Sequence, residues 1–292
     1  MPTPNLSPED VQKIIPQCEE IGRSTNGGQK SVFPCIIGGK KYAIKFLLID
    51  NKGDDYEEHS ETYERCAREI SALKICNSPN LITLGPIDMT ETEFGGQSLI
   101  YYSEPWINGV CLIDMMKSTP DPLNESLLMQ VGICISNAIE ELWNHHIIHR
   151  DIKPQNIMYD EDANQFILLD LGMLYDLELS SLTKFGALPG TLGYYSPEQL
   201  DLSKKRELDF RSDLFCLGIV LYEMATKVHP FRDGAHTADD VIRKIAFYSP
   251  PAPNQLNSNI STQLSDIIMR LLRKTPSARY RQCQSLRNDF MK

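Results

Sequence analysis

An α+β protein is predicted, with strands in the first third of the chain and helices after them. Three observations carry this. Short runs with strand-like alternation and glycine turns fill Ile21 to Phe33, Cys35 to Phe46 and Ser98 to Ser103. From Asn124 to Trp143 the apolar residues Leu128, Val131, Ile135, Ala138 and Leu142 recur at helical spacing. The 292 residues suffice for one large domain or for two lobes sharing a cleft.

In chain order, Ser7-Pro8-Glu9-Asp10 reads as a helix start, with a serine cap, proline in the first turn and an acid three residues after the cap. This helix ends before Pro16 and is expected to pack on the first lobe; a dimer or regulatory contact is the alternative. The strands follow, and Lys45 emerges from the second after Tyr42, Ala43 and Ile44. Asp50 to Glu64 is acidic and leads into a helix whose stripe is Cys66, Ala67, Ile70 and Leu73, with Glu69 beside it. Glu104-Pro105-Trp106-Ile107-Asn108-Gly109 breaks the strand at Ser98 to Ser103. Arg211 to Met224 is apolar on nearly all sides and belongs at the centre of a lobe. Val241 to Ile245 and Leu264 to Leu272 are further helices, and a last one follows Ala278-Arg279-Tyr280.

The net charge of −10 argues against a nucleic-acid-binding surface, which needs a basic patch. Eight scattered cysteines never form Cys-x-x-Cys, so they offer no zinc spacing and fit a reducing cytosol. The start lacks the pattern of a secretory signal. The longest apolar run, Leu214 to Leu221, is too short for a bilayer. A cytoplasmic chain without a membrane span is therefore expected.

The stretch richest in chemistry is His149-Arg150-Asp151-Ile152-Lys153-Pro154-Gln155-Asn156, followed by Asp170-Leu171-Gly172 after the apolar run Phe166 to Leu169. A surface turn produces Asp-x-x-x-x-Asn by chance; the full run with the second aspartate does not arise so easily. Farther on stand Gly190-Thr191, Tyr195-Ser196-Pro197-Glu198-Gln199, Arg211-Ser212-Asp213 and Ala278-Arg279-Tyr280. Across Ile21 to Phe290 the sequence resembles the Ser/Thr protein kinases, and in wording the bacterial eukaryotic-type branch.

The resemblance implies a bilobal α+β fold, a small five-stranded antiparallel lobe with one main helix over a larger, mostly helical lobe, and ATP between them. Residues 1–20 become an N-terminal helical extension and 21–290 the kinase domain, divided into 21–104 and 105–290. Asp151 then accepts the proton of the attacking hydroxyl, Lys153 offsets charge on the migrating phosphoryl group, and Asn156 and Asp170 hold Mg²⁺ or Mn²⁺. Lys45, oriented by Glu69, contacts the α/β-phosphates. Gly22 and Gly28 belong to the glycine loop over the phosphates. Val32, Ala43 and Met158 sandwich the adenine, with the hinge at Glu104 and Ser103 at the back of the pocket. Leu73, Leu84, His149 and Leu171 fit the stacked spine of the family. Glu198 pairs with Arg279, Asp213 holds the catalytic-loop backbone, and Thr191 bridges Asp151 and Lys153. Arg150 docks a phosphate on the activation segment, at Thr183 first and Ser180 or Ser181 second.

The implied activity is transfer of the γ-phosphate of ATP to Ser/Thr hydroxyls of proteins, the chain's own segment included; the resemblance also admits a homodimer. One departure stands out. Against the pattern Gly-x-Gly-x-x-Gly-x-Val, Ser24 takes the second glycine position and residues are inserted before Val32. That irregularity is the support for an alternative, a pseudokinase acting as a binding module. A small-molecule kinase of the aminoglycoside type shares Asp-x-x-x-x-Asn but lacks the Gly-Thr to Ser-Pro-Glu segment.

Overall fold

The computed structural model of the chain describes residues 3–27, 30–49, 61–171, 192–201 and 208–292. Two units form: Met1–Asn77 with Ile82–Ile107, and Ser78–Leu81 with Asn108–Lys292.

The first unit opens with helix α1, Pro8–Ile14. Its cap is reciprocal: Asp10 N donates to Ser7 Oγ at 3.2 Å and Ser7 N to Asp10 Oδ2 at 3.0 Å. Strands β1 (Thr25–Gly27), β2 (Lys30–Ile37), β3 (Lys40–Leu48), β4 (Thr90–Phe94) and β5 (Gln97–Pro105) make one antiparallel sheet in the order β1-β2-β3-β5-β4. Two hairpins turn on glycine pairs, Gly38-Gly39 and Gly95-Gly96, all four at positive φ, which a two-residue turn of matching twist requires. The strand boundary expected at Pro34 does not exist. Strand β2 runs through it, with Pro34 opposite Ala43. Pro34 O accepts from Gly22 N at 2.8 Å on the side away from β3, so the missing proline N–H costs no β2–β3 bond.

Period-2 alternation divides the sheet into two faces. Phe33, Cys35, Ile44, Phe46 and Leu99 are buried in one cluster with Val11 and Ile15, so α1 packs on that face. The registers Val32↔Lys45, Ala43↔Glu104 and Lys45↔Tyr102 put these residues, and Lys30 two before Val32, on the other. Helix α2, Glu61–Ile75, buries Cys66, Glu69, Ile70 and Leu73 along one stripe.

In the second unit a small sheet of β6 (Gly109–Cys111), β7 (Ile157–Asp160) and β8 (Gln165–Leu168) follows the order β6-β7-β8. The segment 78–81 is stitched to it: Leu168 N donates to Asn80 O, and Asn80 Nδ2 to Phe166 O, each at 2.9 Å. The α-helices of this unit among the described residues are α3 (Leu112–Ser118), α4 (Glu125–Asn144), α5 (Pro197–Leu200), α6 (Phe210–Thr226), α7 (Ala238–Phe247), α8 (Pro253–Leu256), α9 (Thr262–Leu271) and α10 (Cys283–Phe290). Helix α6 is buried on nearly every side, as its sequence predicts. Gly218 lets α9 close on it, since a Cβ there would lie 2.7 Å from Leu271 Cβ. No helix among the described residues is long and apolar enough to cross a membrane.

Candidate active site

The inner face of the first sheet carries a buried polar cluster. Lys30, Lys45, Glu69, Tyr102 and Glu104 are each at most 8% exposed. Lys30 Nζ donates to both carboxylate oxygens of Glu69, at 2.8 and 2.9 Å, and to Tyr102 Oη at 3.1 Å. Tyr102 Oη donates to Glu69 Oε1 at 2.8 Å. Lys45 Nζ reaches Glu104 Oε1 at 2.6 Å. The Tyr102 ring stands near both ammonium groups, 5.8 Å from each to its centroid. Burial pushes the Glu104 carboxyl above its ordinary range, Lys45 beside it pulls it down, and the charge of Glu69 raises it again. Two cations and two carboxylates thus pair with one another, and removing either lysine deprives a buried carboxylate of its ammonium partner, at about 3–5 kcal/mol.

This cluster corrects two expectations. Glu69 pairs with Lys30, where Lys45 was expected, and Lys45 has Glu104 as its partner. Ser103 lies on the opposite face beside Ile44, where its Oγ accepts from Ile87 N at 2.8 Å and donates to Ile87 O at 3.2 Å. The residue beside Ala43 and Lys45 is Glu104. Trp106 packs outside the cluster, with Lys41 Nζ 4.2 Å from its ring centroid.

The glycine loop also shifts. Hairpin β1–β2 pairs Thr25 with Val32 and Gly27 with Lys30. Ser24 therefore precedes the hairpin and holds no loop position. Gly22 is a packing residue, because a Cβ on it would meet Pro34 Cγ at 2.6 Å. Gly28 lies outside the described residues.

In the second unit the residues expected to form the catalytic loop converge. Asp213 Oδ2 accepts from His149 N and Oδ1 from Arg150 N, both at 2.8 Å. Those bonds hold Arg150 at φ +68°, a left-handed backbone a non-glycine residue adopts only under constraint. Burial raises the Asp213 carboxyl pKa, while His149 and the two backbone N–H groups lower it. His149 Nδ1 accepts from Asp151 N at 3.2 Å, so Nε2 carries the proton toward Leu169 O at 3.0 Å.

Asp151 is held through one oxygen. Its Oδ2 accepts from Lys153 Nζ at 2.7 Å and Asn156 Nδ2 at 2.9 Å. Its Oδ1 is buried and has no hydrogen-bond partner among the described residues. Asn156 Nδ2 also donates to Asp151 O at 2.9 Å, which leaves Asn156 Oδ1 as the acceptor of that amide. Leu169 N donates to Asn156 O at 2.8 Å and ties Asp170, at φ +60°, to the same loop. An amide oxygen and a carboxylate are hard donors and fit Mg²⁺.

Glu198 and Arg279 form a bidentate pair at 2.5 and 2.9 Å. The guanidinium, 1% exposed, also donates to Arg273 O, Arg211 O and Lys274 O, and Ser212 Oγ donates to Glu198 Oε1. Met158 and Cys111 face one another across β6 and β7. Thr183, Ser180, Ser181, Thr191 and Gly172 lie outside the described residues.

Sequence reasoning missed Lys30 and Tyr102. The available signal was the position of Lys30 two residues before Val32 on an alternating strand.

The family model described as a protein kinase domain matches residues 17–291. A probable serine/threonine-protein kinase of Clostridium perfringens is 30% identical over 276 residues, covering 91% of this chain and 38% of that protein. The serine/threonine-protein kinase PknB of Mycobacterium tuberculosis is 30% identical, with coverage of 86% and 38%. PrkC of Bacillus subtilis is 28% identical, with coverage of 90% and 38%. This chain thus spans well under half the length of these relatives. The solved kinase domain of M. tuberculosis PknI shares the fold, at TM-score 0.65 and 18% identity, covering 93% of this chain and 94% of that one.

Proposed function

This chain belongs to the protein kinase domain family, and we propose that it transfers the γ-phosphoryl group of ATP to serine and threonine hydroxyls of proteins. The observation that carries the reading is Asp151, with Oδ2 fixed by Lys153 and Asn156 and a buried Oδ1 that has no partner among the described residues. A carboxylate so held has one oxygen oriented for an incoming hydroxyl. Asp151 takes the hydroxyl proton as the new bond to γ-phosphorus forms; the bond to the bridging oxygen breaks, and its electron pair leaves with ADP. Lys153 offsets charge on the migrating group. Asn156 and Asp170 would hold Mg²⁺ or Mn²⁺, which supplies positive charge against the phosphate oxygens. The lysines on the inner sheet face supply cations for the remaining phosphates. His149, Asp213 and the Glu198–Arg279 pair act through position: they fix the loop and brace the residues behind it.

Incubation with γ-labelled ATP, Mg²⁺ and a generic basic protein should place label on protein. ATP binding without any transfer would refute the reading in favour of a binding module. Asp170→Asn should raise the Mg²⁺ concentration needed for half-maximal transfer several-fold; an unchanged Mg²⁺ titration would count against the metal role of Asp170.

Regulation follows from Arg150, beside the base. A phosphate on Thr183 would bring about −1.5 to −2 charge to that guanidinium. Mass spectrometry after incubation with ATP should find Thr183 modified, with Ser180 or Ser181 second, and Thr183→Ala should lower activity. An unmodified segment in a fully active enzyme would show that no such switch exists.

A further inference from the structure

We propose that Lys30 is the principal phosphate-holding lysine of this protein, positioned by Glu69 and Tyr102, and that Lys45 serves chiefly as the counter-charge of Glu104. The inference rests on the kinase reading above and changes the residue that performs one of its steps.

Its first support is pairing. A lysine that holds a phosphate must be aimed, and the aiming group here is Glu69 on α2. Glu69 is 1% exposed, and both its oxygens are committed to Lys30 at 2.8 and 2.9 Å, with Tyr102 Oη bridging the two side chains. Lys45 is paired with Glu104 of β5 at 2.6 Å, so it is not the lysine that the α2 carboxylate aims.

The second support is placement. Counted back from Val32 in the pattern Gly-x-Gly-x-x-Gly-x-Val, the last glycine position falls on Lys30 and the middle one on Gly27. The hairpin register agrees, setting Gly27 opposite Lys30. A backbone that approaches phosphates through glycine here carries a cation at the point of approach. That accounts for the irregular loop without loss of nucleotide binding: the close backbone approach given up where lysine replaces glycine is offset by an ammonium group. Lys30 shares the inner face with Val32, Ala43 and Lys45, so the face that carries the ammonium is the one expected to meet the nucleotide.

The test compares affinity for ATP with affinity for adenosine, by calorimetry on the whole chain, for wild type, Lys30→Met, Lys45→Met and Lys30→Met/Glu69→Gln. The double variant removes the lysine without stranding a buried carboxylate, so a folding defect in Lys30→Met does not decide the matter. Both Lys30 variants should lose about tenfold or more in ATP affinity and leave adenosine within about twofold. Lys45→Met should lose less than Lys30→Met. In transfer assays Lys30→Met should fall farther than Lys45→Met, and Glu69→Gln should lower kcat with a smaller change in KM. The proposal is overturned if Lys45→Met loses the ATP preference while the Lys30 variants keep it, or if neither lysine matters to the ATP-to-adenosine ratio. Wild type that binds ATP by Lys30 but labels no protein would overturn the kinase reading and leave the Lys30 assignment standing.

Discussion

Asp151→Asn should lower phosphoryl transfer by about 10²–10⁴ and leave ATP affinity within a few-fold. The asymmetry follows from geometry. Oδ1 of Asp151 has no hydrogen-bond partner among the described residues, so in the proposed reaction it is the oxygen that takes the hydroxyl proton. Oδ2 is held by Lys153 and Asn156 at 2.7 and 2.9 Å, contacts that an asparagine retains in part. The backbone bonds of Asp213 to His149 and Arg150 are untouched, so the loop keeps its shape. Comparison of kcat and of ATP dissociation constants for the two proteins checks this. Near-normal kcat in Asp151→Asn would remove Asp151 from its role as base.

The second large effect is on stability. Glu198→Ala should cost about 3–5 kcal/mol, because it leaves the Arg279 guanidinium charged in a fully buried site. Three of the partners of that guanidinium are backbone carbonyls, which accept hydrogen bonds but carry no compensating charge. For a domain of this size the loss corresponds to about 5–8 °C in Tm. Arg279→Met should cost a similar amount, since it strands Glu198 with Ser212 and deprives those carbonyls of a donor. The double variant should lose less than the sum of the two, because it leaves no unpaired charge. Thermal unfolding of the four proteins measures the coupling; strict additivity would mean that the pair acts as two independent residues.

What the sequence revealed divides by the range of the contacts. The run His149 to Asn156 is local, so the resemblance that implies its chemistry lies within one short stretch, and Asp170 follows at the end of β8. The helical stripes of α4 and α6 were legible because period 3.6 is a strong pattern over many residues. Glu198 and Arg279 lie far apart in the chain, and only the resemblance joins them. The cluster of the first unit was not legible. Whether Glu69 meets Lys30 or Lys45 depends on which strand brings its lysine under α2, and both lysines face the same side. The slip from Glu104 to Ser103 shows how a strand conceals register: a shift of one residue moves a side chain to the opposite face, and either residue suited the local composition. Pro34 misled for a related reason, since proline reads as a strand break unless its N–H side is known to face away from the ladder.

The central claim is that this chain moves a phosphoryl group onto protein hydroxyls. Acid hydrolysis and phosphoamino-acid separation, after incubation with γ-labelled ATP and Mg²⁺, tests it most directly. Label in phosphoserine or phosphothreonine, absent when Asp151→Asn replaces the wild type, is the result the geometry predicts. Label recovered only as inorganic phosphate, or equal labelling by Asp151→Asn, would contradict it.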